Sequence, residues 1–320
     1  MSLIEQAAKR LEQLRQAGVE LPDDPTSSTL HSPIAQDTQS ATVRESAELV
    51  PSARRSDASL GENAAIASPS PAARRVEINL ESIAASGLLV PNATRSLLAN
   101  EFRVIKRPLI ANAMGRGPVT VANGNLIMVT SALPGEGKSF TAANLAISIA
   151  MELDNTVMLV DADVARPSIL NMLGLPPSPG LLDIVESNSV DISGVLLRTN
   201  IEKLSILPSG TAHARATELL ASDAMIRLLE NMSRRYPDRI IVFDSPPLLL
   251  TTEARALATH MGQIVMVVNA GVTAQAAVKE SIAAIESCPV KLMVLNQARQ
   301  SASDGYGYGY AYGYGYGNGN

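Results

Sequence analysis

Residues 126–140 of this 320-residue chain have the sequence LIMVTSALPGEGKSF, and their pattern indicates the class of fold. An apolar run typical of a buried strand leads into a glycine-rich turn, and a helical pattern follows. Backbone N–H groups of such a turn can close around phosphates, while Lys138 can reach phosphate oxygens and Ser139 can offer a hydroxyl to Mg²⁺. We therefore predict a phosphate-binding loop (P-loop). Its nucleotide-binding residues are predicted to be Pro134, Gly135, Glu136, Gly137, Lys138, Ser139 and Phe140.

Outward from this loop, apolar runs alternate with helical patterns. Buried strands are predicted at residues 126–130, 156–160, 204–207, 240–243, 264–268 and 292–295. Ala, Leu, Ile and Met recur at helical spacing in residues 139–152, 216–233, 252–260 and 274–287. This alternation predicts an α/β fold with a doubly wound, mostly parallel sheet covered on both faces. A further helix is predicted upstream, with one apolar face formed by Leu97, Leu98, Phe102 and Ile105.

The composition fits one globular domain and excludes several classes of protein. Hydrophobic residues make up 46% and charged residues 18%, which excludes a fully disordered, collagen-like or disulfide-scaffold chain. A net charge of −5 without a basic tract argues against nucleic acid as a partner. Cys288 is the single cysteine, and the three histidines show no metal-ligand spacing. No apolar run reaches the ~18 residues of a membrane span, so a cytoplasmic protein is expected.

Four regions are predicted along the chain. Residues 1–17 form an amphipathic helix that docks on its own domain or contacts a partner helix or a membrane surface. Residues 18–75 are rich in Ser, Pro, Ala and Thr and are predicted to be a disordered linker, because they offer little apolar surface to bury. Residues 76–298 form the P-loop domain. Residues 299–320 form a disordered Tyr/Gly-rich tail.

Acidic residues follow two of the predicted strands. Asp161 and Asp163 occur in LVDADVARP, with Arg166 close behind, and Asp244 occurs in VFDSPP. Because the carboxyl ends of parallel strands face one crevice, these side chains are expected to meet at the P-loop. Asp244 is the natural candidate to fix Mg²⁺, with Asp163 in support. The alternative for Asp161 and Asp163 is that they cap the segment that follows.

Taken together, LPGEGKS, LVDADVARP and VFDSPP resemble the Walker A, Walker A′ and Walker B boxes of the bacterial tyrosine kinases (BY-kinases). The chain ends in DGYGYGYAYGYGYGNGN, and such a tyrosine cluster is what that family autophosphorylates. The resemblance covers roughly residues 95–316. The N-terminal helix and long linker resemble the tyrosine autokinases of exopolysaccharide loci associated with exosortase systems. The phosphorylation sites implied are Tyr306, Tyr308, Tyr310, Tyr312, Tyr314 and Tyr316.

The resemblance implies an ATP-dependent protein-tyrosine autokinase that regulates exopolysaccharide biosynthesis or export. A tyrosine hydroxyl has a pKa of about 10, so transfer needs a proton acceptor, for which Asp161 is the candidate. Lys138 and the loop amides would stabilise charge on the γ-phosphoryl oxygens. Mg²⁺ would be held by Ser139, with Asp163 and Asp244 in support.

Further roles and partners follow from the same resemblance. Arg166 would add positive charge, and Asn296 would contact the adenine edge or, alternatively, cap a turn. A membrane protein of the polysaccharide chain-length (co-polymerase) type is expected as activator, together with a cognate tyrosine phosphatase. A homo-oligomer is expected, although the family's oligomerisation motif is reduced here to Asn100, Arg103 and Lys106. The chain would be peripheral at the inner membrane through its partner.

Two competing functions are considered. The first is a positioning ATPase related to the Min and Par proteins, which would hydrolyse ATP without transfer to tyrosine. Those proteins carry a second lysine early in the loop, at the position of Leu133 in this chain. The second is a non-catalytic scaffold, because a Gly/Tyr-rich tail can also associate through its aromatic residues.

Overall fold

The computed structural model describes residues 74–92, 96–187, 190–235 and 238–298. The N-terminal helix at 1–17, the linker up to residue 73 and the tail at 299–320 lie outside these residues, so their predictions stay predictions. The last two residues assigned to the linker, Arg74 and Arg75, belong to a strand.

Eight strands form one sheet in the described part of the chain: β1 (Arg74–Val76), β2 (Leu126–Ser131), β3 (Thr156–Asp161), β4 (Leu197–Thr199), β5 (Leu204–Leu207), β6 (Arg239–Asp244), β7 (Gln263–Asn269) and β8 (Val290–Asn296). Their order is β1-β4-β5-β3-β6-β2-β7-β8. Every neighbouring pair is parallel except β4 and β5, which run antiparallel. The predicted α/β fold with a mostly parallel sheet is confirmed.

The helices between these strands are α1 (Leu80–Ala85), α2 (Leu97–Ala113), α3 (Lys138–Ala150), α4 (Ile169–Met172), α5 (Leu181–Glu186), α6 (Ile192–Val195), α7 (Ala216–Leu220), α8 (Asp223–Arg235), α9 (Thr252–Ala258) and α10 (Gln275–Ala284). They cover both faces of the sheet, and each face packs into its own apolar cluster. The three central strands β2, β3 and β6 are buried almost throughout. No helix in the described ranges combines the length and the apolar character that crossing a membrane requires.

Some predicted elements differ from the observed ones. The helix predicted over 216–233 is two helices, because the Ser222 hydroxyl accepts a hydrogen bond from the backbone N–H of Met225 and starts α8 afresh. Strands β1 and β4 were missed, since three residues each are too few to show a period. Helices α1, α4, α5 and α6 were missed for the same reason, at four to six residues each.

Helix α2 begins at the cap residue Ser96, whose hydroxyl accepts from the N–H of Ala99. Its buried residues are Ala99, Phe102, Lys106 and Leu109. The apolar face predicted from Leu97, Leu98, Phe102 and Ile105 is only partly buried: Leu97 is 66% exposed, because the buried stripe begins only at Ala99.

Lys106 is buried although it occupies the last position of the reduced oligomerisation motif. Its ammonium donates to the carbonyl of Ser148 and forms an ion pair with Glu152 at 2.8 Å. The lysine therefore ties α2 to the end of α3 within the same chain. Any oligomer contact made by this helix must come from other residues.

Candidate active site at the P-loop

The P-loop leaves the carboxyl end of β2, between β6 and β7, and runs directly into α3. Two of its glycines, Gly135 and Gly137, have φ values of 80° and 91°, in the left-handed region that side chains disfavour. Gly137 is also the N-cap of α3. The N–H groups of the first helical turn therefore face the crevice at the strand ends, as an anion-binding loop requires.

The end of β8 supports this loop. The side-chain amide nitrogen of Asn296 donates to the carbonyl of Glu136 at 2.9 Å, and that of Gln297 donates to the carbonyl of Gly135 at 3.4 Å. A Cβ atom on Gly137 would lie 2.1 Å from the Asn296 nitrogen, so only glycine fits there. Asn296 thus lies at the P-loop, while its contact with adenine stays a prediction.

The side chain of Glu136 is bound within the protein. It is 3% exposed, one carboxylate oxygen accepts from the N–H of Leu133 at 2.7 Å, and the other accepts from the hydroxyl of Thr273. The Glu136 carboxylate therefore shapes the loop, and only its main chain is placed to bind a phosphate. No sequence pattern indicated the Thr273 contact, which joins residues 137 positions apart.

Lys138 and Asp163 form a close ion pair, with 2.6 Å between the ammonium nitrogen and a carboxylate oxygen. The other oxygen of Asp163 accepts from the N–H of Arg166 at 3.2 Å. Lys138 also lies 3.4 Å from the hydroxyl of Ser139. Four predicted site residues are therefore brought together, and Asp163 contacts the lysine that should hold the phosphates.

Asp161 lies at the end of β3 and is 1% exposed. One carboxylate oxygen accepts from the N–H groups of Ser168 and Ile169, both at 3.0 Å, and so caps α4. The other oxygen is buried without a hydrogen-bond partner among the described residues. The capping alternative holds for one oxygen only. Burial, reinforced by the charge of Asp163, raises the pKa of Asp161 to about 6 against the opposing effect of the two backbone hydrogen bonds.

Asp244 pairs with Asp161 across β6 and β3 and is fully buried. Neither of its oxygens has a well-formed hydrogen bond within the described ranges, although the Ser139 hydroxyl and the Lys138 ammonium both act on the carboxylate. Burial raises the pKa of Asp244 to about 7, and the charge of Lys138 opposes that shift. A buried carboxylate that lacks a well-formed hydrogen bond and lies near a lysine ammonium fits an environment built for a cation.

The oxygen atoms available at this site suit Mg²⁺, which takes part of its ligands from water and phosphate, rather than a metal bound by protein side chains alone. Mg²⁺ prefers oxygen ligands and keeps several waters and substrate phosphates in its shell. Within the described ranges no three His, Cys, Asp or Glu side chains gather as a metal cluster. The residues that fit the ion are Ser139 and Asp244, with Asp163 nearby and the remaining ligands supplied by phosphate and water.

A cleft of about 610 Å³ opens beside the loop, within the usual size range of ligand sites. Arg166 is exposed on its rim, as the prediction that it adds positive charge requires. Leu250, 62% exposed, is one of several wall residues that sequence reasoning missed. The others are Ala165, Ser168, Met172, Pro246, Pro247 and Thr251. For the wall residues that follow Asp244, the run SPPLLLTT was the available signal.

Glu253 is buried between α9 and α7, where its carboxylate lies near the hydroxyls of Thr217 and Thr252. The six predicted phosphorylation sites of the tail lie outside the described residues.

Comparisons with known proteins agree with this geometry. A family model described as "ParA: NUBPL iron-transfer P-loop NTPase" matches residues 123–293. The tyrosine-protein kinase YwqD of Bacillus subtilis (strain 168) is 30% identical over 214 residues, which are 66% of this chain and 86% of that protein. The succinoglycan biosynthesis transport protein ExoP of Rhizobium meliloti is 34% identical over 195 residues, 60% of this chain but only 24% of ExoP. The crystal structure of the chimerical protein CapA2B2 superposes with a TM-score of 0.55 at 27% identity, over 70% of this chain and 93% of that one.

Proposed function

Because the chain belongs to the bacterial tyrosine kinase family of P-loop NTPases, and is therefore a protein-tyrosine kinase, we propose that it transfers the γ-phosphoryl group of ATP to its own C-terminal tyrosines. The observation that carries the proposal is the meeting of Lys138 with two buried carboxylates, Asp163 and Asp244, at the carboxyl edge of the sheet. P-loop NTPases in general bind a nucleotide together with Mg²⁺. We propose that the nucleotide bound by this chain is ATP.

Phosphate binding requires the Lys138 ammonium to turn from Asp163 toward phosphate oxygens, or to contact both. The N–H groups of Gly135 and Gly137 would bind phosphate oxygens, and Arg166 would add positive charge at the rim of the cleft. Ser139 and Asp244 would hold Mg²⁺, which would supply neutralisation of the phosphate charge.

The proton of the attacking tyrosine goes to Asp161. Its unpartnered oxygen is the acceptor, while the other oxygen is fixed by Ser168 and Ile169. With a pKa of about 6 the carboxylate is mostly ionised at pH 7, yet it is a stronger base than an exposed aspartate. Burial thus prepares Asp161 for general-base catalysis without removing its charge.

The biological setting belongs to the same proposal. ExoP is named for succinoglycan biosynthesis and transport, which supports a role of this chain in exopolysaccharide biosynthesis or export. We propose the four regions predicted from sequence as its organisation, with the linker ending before the strand that begins at Arg74. Its partners would be a membrane polysaccharide co-polymerase as activator, further copies of itself and a cognate tyrosine phosphatase. It would act in the cytoplasm at the inner membrane, without nucleic acid.

The test is intact-mass spectrometry after incubation with Mg·ATP, with and without a candidate membrane activator. Wild type should gain increments of one phosphate each. Lys138→Met and a chain truncated after Ser303 should gain none, while the exposed control Lys279→Met should behave like wild type. If wild type hydrolyses ATP but gains no mass even with the activator, the chain acts as a positioning ATPase instead.

A further inference from the structure

A second cavity, of about 650 Å³, lies at the opposite end of the sheet from the P-loop. It opens where β3, β5 and β6 begin and where β1 and β4 end. We call it the arginine groove, after the basic side chains that line it. These are Arg75, Arg198, Lys203 and Arg239.

The register of the strands aligns these arginines. Arg75 of β1 pairs with Arg198 of β4, and Arg198 pairs with Ser205 of β5. Paired residues project from the same face of a sheet, and the alternation along β3 and β6 brings Thr156 and Arg239 to that face as well. Like charges directly opposite each other on neighbouring strands are destabilising. Arg75 and Arg198 therefore carry a cost that an anionic ligand would remove.

The neighbouring charges leave the groove positive. Within the described ranges no carboxylate forms an ion pair with Arg75 or Arg198. Lys203 is held by the carbonyls of Glu152 and Leu153, at 2.9 and 2.8 Å. Two acidic side chains, against four basic ones, also line the groove; they are Glu77 and Glu202.

We propose that the arginine groove binds phosphotyrosines of the C-terminal tail of this chain. The inference rests on the proposed function, which supplies the modified residue. Guanidinium groups bind a phosphate dianion through paired N–H donors and also stack on aromatic rings, so a phosphotyrosine satisfies both properties. Apolar atoms of Val76 and Leu196 in the lining offer a surface to the ring.

The tail is long enough to reach the groove. From β8 to β4 the sheet order gives six strand spacings, or ~29 Å, and the length of a six-residue strand adds ~20 Å along the perpendicular direction. Tyr316 lies 20 residues beyond Asn296, a contour of up to ~66–72 Å. The distal tyrosines can therefore reach their own groove, and those of a neighbouring copy can reach it too.

The position of the groove gives binding a function. The groove and the P-loop lie at opposite ends of the same strands, so a phosphotyrosine bound in the groove is held away from the catalytic crevice. A modified segment is thereby removed from the site where the next tyrosine must enter.

The test measures fluorescence anisotropy of a labelled synthetic peptide, residues 303–316, with phosphate on Tyr310 and Tyr312, added to the full unphosphorylated chain without ATP. The unphosphorylated peptide should bind much more weakly. The double variant Arg75→Gln/Arg198→Gln should bind the phosphopeptide roughly tenfold more weakly or worse, as expected for lost charge-assisted hydrogen bonds. The matched control Arg227→Gln, an exposed arginine of α8 outside the groove, should bind like wild type.

Equal affinity for the two peptides, or an unchanged affinity in the double variant, would overturn the proposal. So would arginine-dependent binding to vesicles of anionic phospholipid without binding of the phosphopeptide, since the groove would then contact a membrane. The peptide is supplied already phosphorylated, so its failure to bind counts against the groove alone. Absence of mass increments with Mg·ATP counts against autophosphorylation alone.

Discussion

The hydroxyl of Thr273 donates a hydrogen bond to the buried carboxylate of Glu136, and this contact joins the P-loop to the segment that follows β7. The same hydroxyl accepts from the N–H of Asn269 at the end of that strand, at 3.2 Å. The conformation of the nucleotide loop therefore depends on a residue outside every recognised nucleotide motif.

Thr273→Val tests this dependence, because valine keeps the shape of threonine and removes the hydroxyl. Leaving the Glu136 oxygen without its donor should cost about 1–3 kcal/mol in the free energy of unfolding. The affinity for ATP should fall in parallel, since the loop loses its support. Chemical denaturation and equilibrium nucleotide binding measure the two effects, and Thr273→Ser should restore both. An affinity and a stability equal to wild type in the valine variant would refute the dependence.

Gly137→Ala should abolish nucleotide binding. The substitution combines a φ of 91° with a methyl group 2.1 Å from the Asn296 amide nitrogen, so the loop or the end of β8 must move. Gly174→Ala is the matched control, because its φ is 69° and open space surrounds it. Both variants carry the left-handed strain, and the difference between their ATP affinities isolates the clash. Similar affinities in the two would show that Asn296 does not constrain the loop.

Asp161→Asn should lower kcat for tail phosphorylation by about 10²–10⁴-fold with little change in KM for ATP. Asparagine retains an oxygen that can cap Ser168 and Ile169, so the fold should persist while the base is lost. In wild type, kcat should fall as pH drops through about 6, where Asp161 becomes protonated. Initial rates between pH 5 and 8 test this, and a flat profile would exclude Asp161 as the base.

Asp244→Asn should stabilise the nucleotide-free protein at pH 8 while destroying its Mg²⁺-dependent activity. The pKa of Asp244 is about 7 in the folded chain, against an ordinary value of 3.8 for an aspartate, so the folded state binds the extra proton between these values. Its contribution to stability is full at low pH and is lost as pH rises through about 7. The loss begins above about pH 3.8, so the stability gained by the variant should be larger at pH 8 than at pH 5.

Urea denaturation at both pH values checks this prediction. The exposed control Asp154→Asn should leave stability within about 0.5 kcal/mol of wild type. A destabilised Asp244→Asn at pH 8 would mean that the carboxylate has a partner that compensates its burial.

The sequence predicted the fold well where patterns were long. The six apolar runs became strands, and residues 126–140 became strand, loop and helix as expected. The pattern also predicted that Lys138, Asp163 and Asp244 lie in one crevice, because the carboxyl ends of parallel strands lie at one edge of the sheet. The Glu136–Thr273 contact could not be predicted, since a hydrogen bond between residues far apart in the chain produces no periodic pattern in the sequence around either residue. The spacing that places Leu97 on the apolar face of its helix does not determine its exposure, because an apolar residue at a helix start matches the same spacing as the buried stripe.

Asn296 and Gln297 hold the P-loop and lie directly before the region where the tail begins. The tail continues from residues that fix the P-loop, so phosphorylation of the tail can change the conformation of this loop. If a conformation of the tail changes ATP affinity by some factor, ATP binding must change the equilibrium of that conformation by the same factor. We expect the phosphorylated and unphosphorylated chains to differ in affinity for ATP. The phosphates that earlier turnovers leave on the tail would then set how tightly the enzyme binds its next nucleotide.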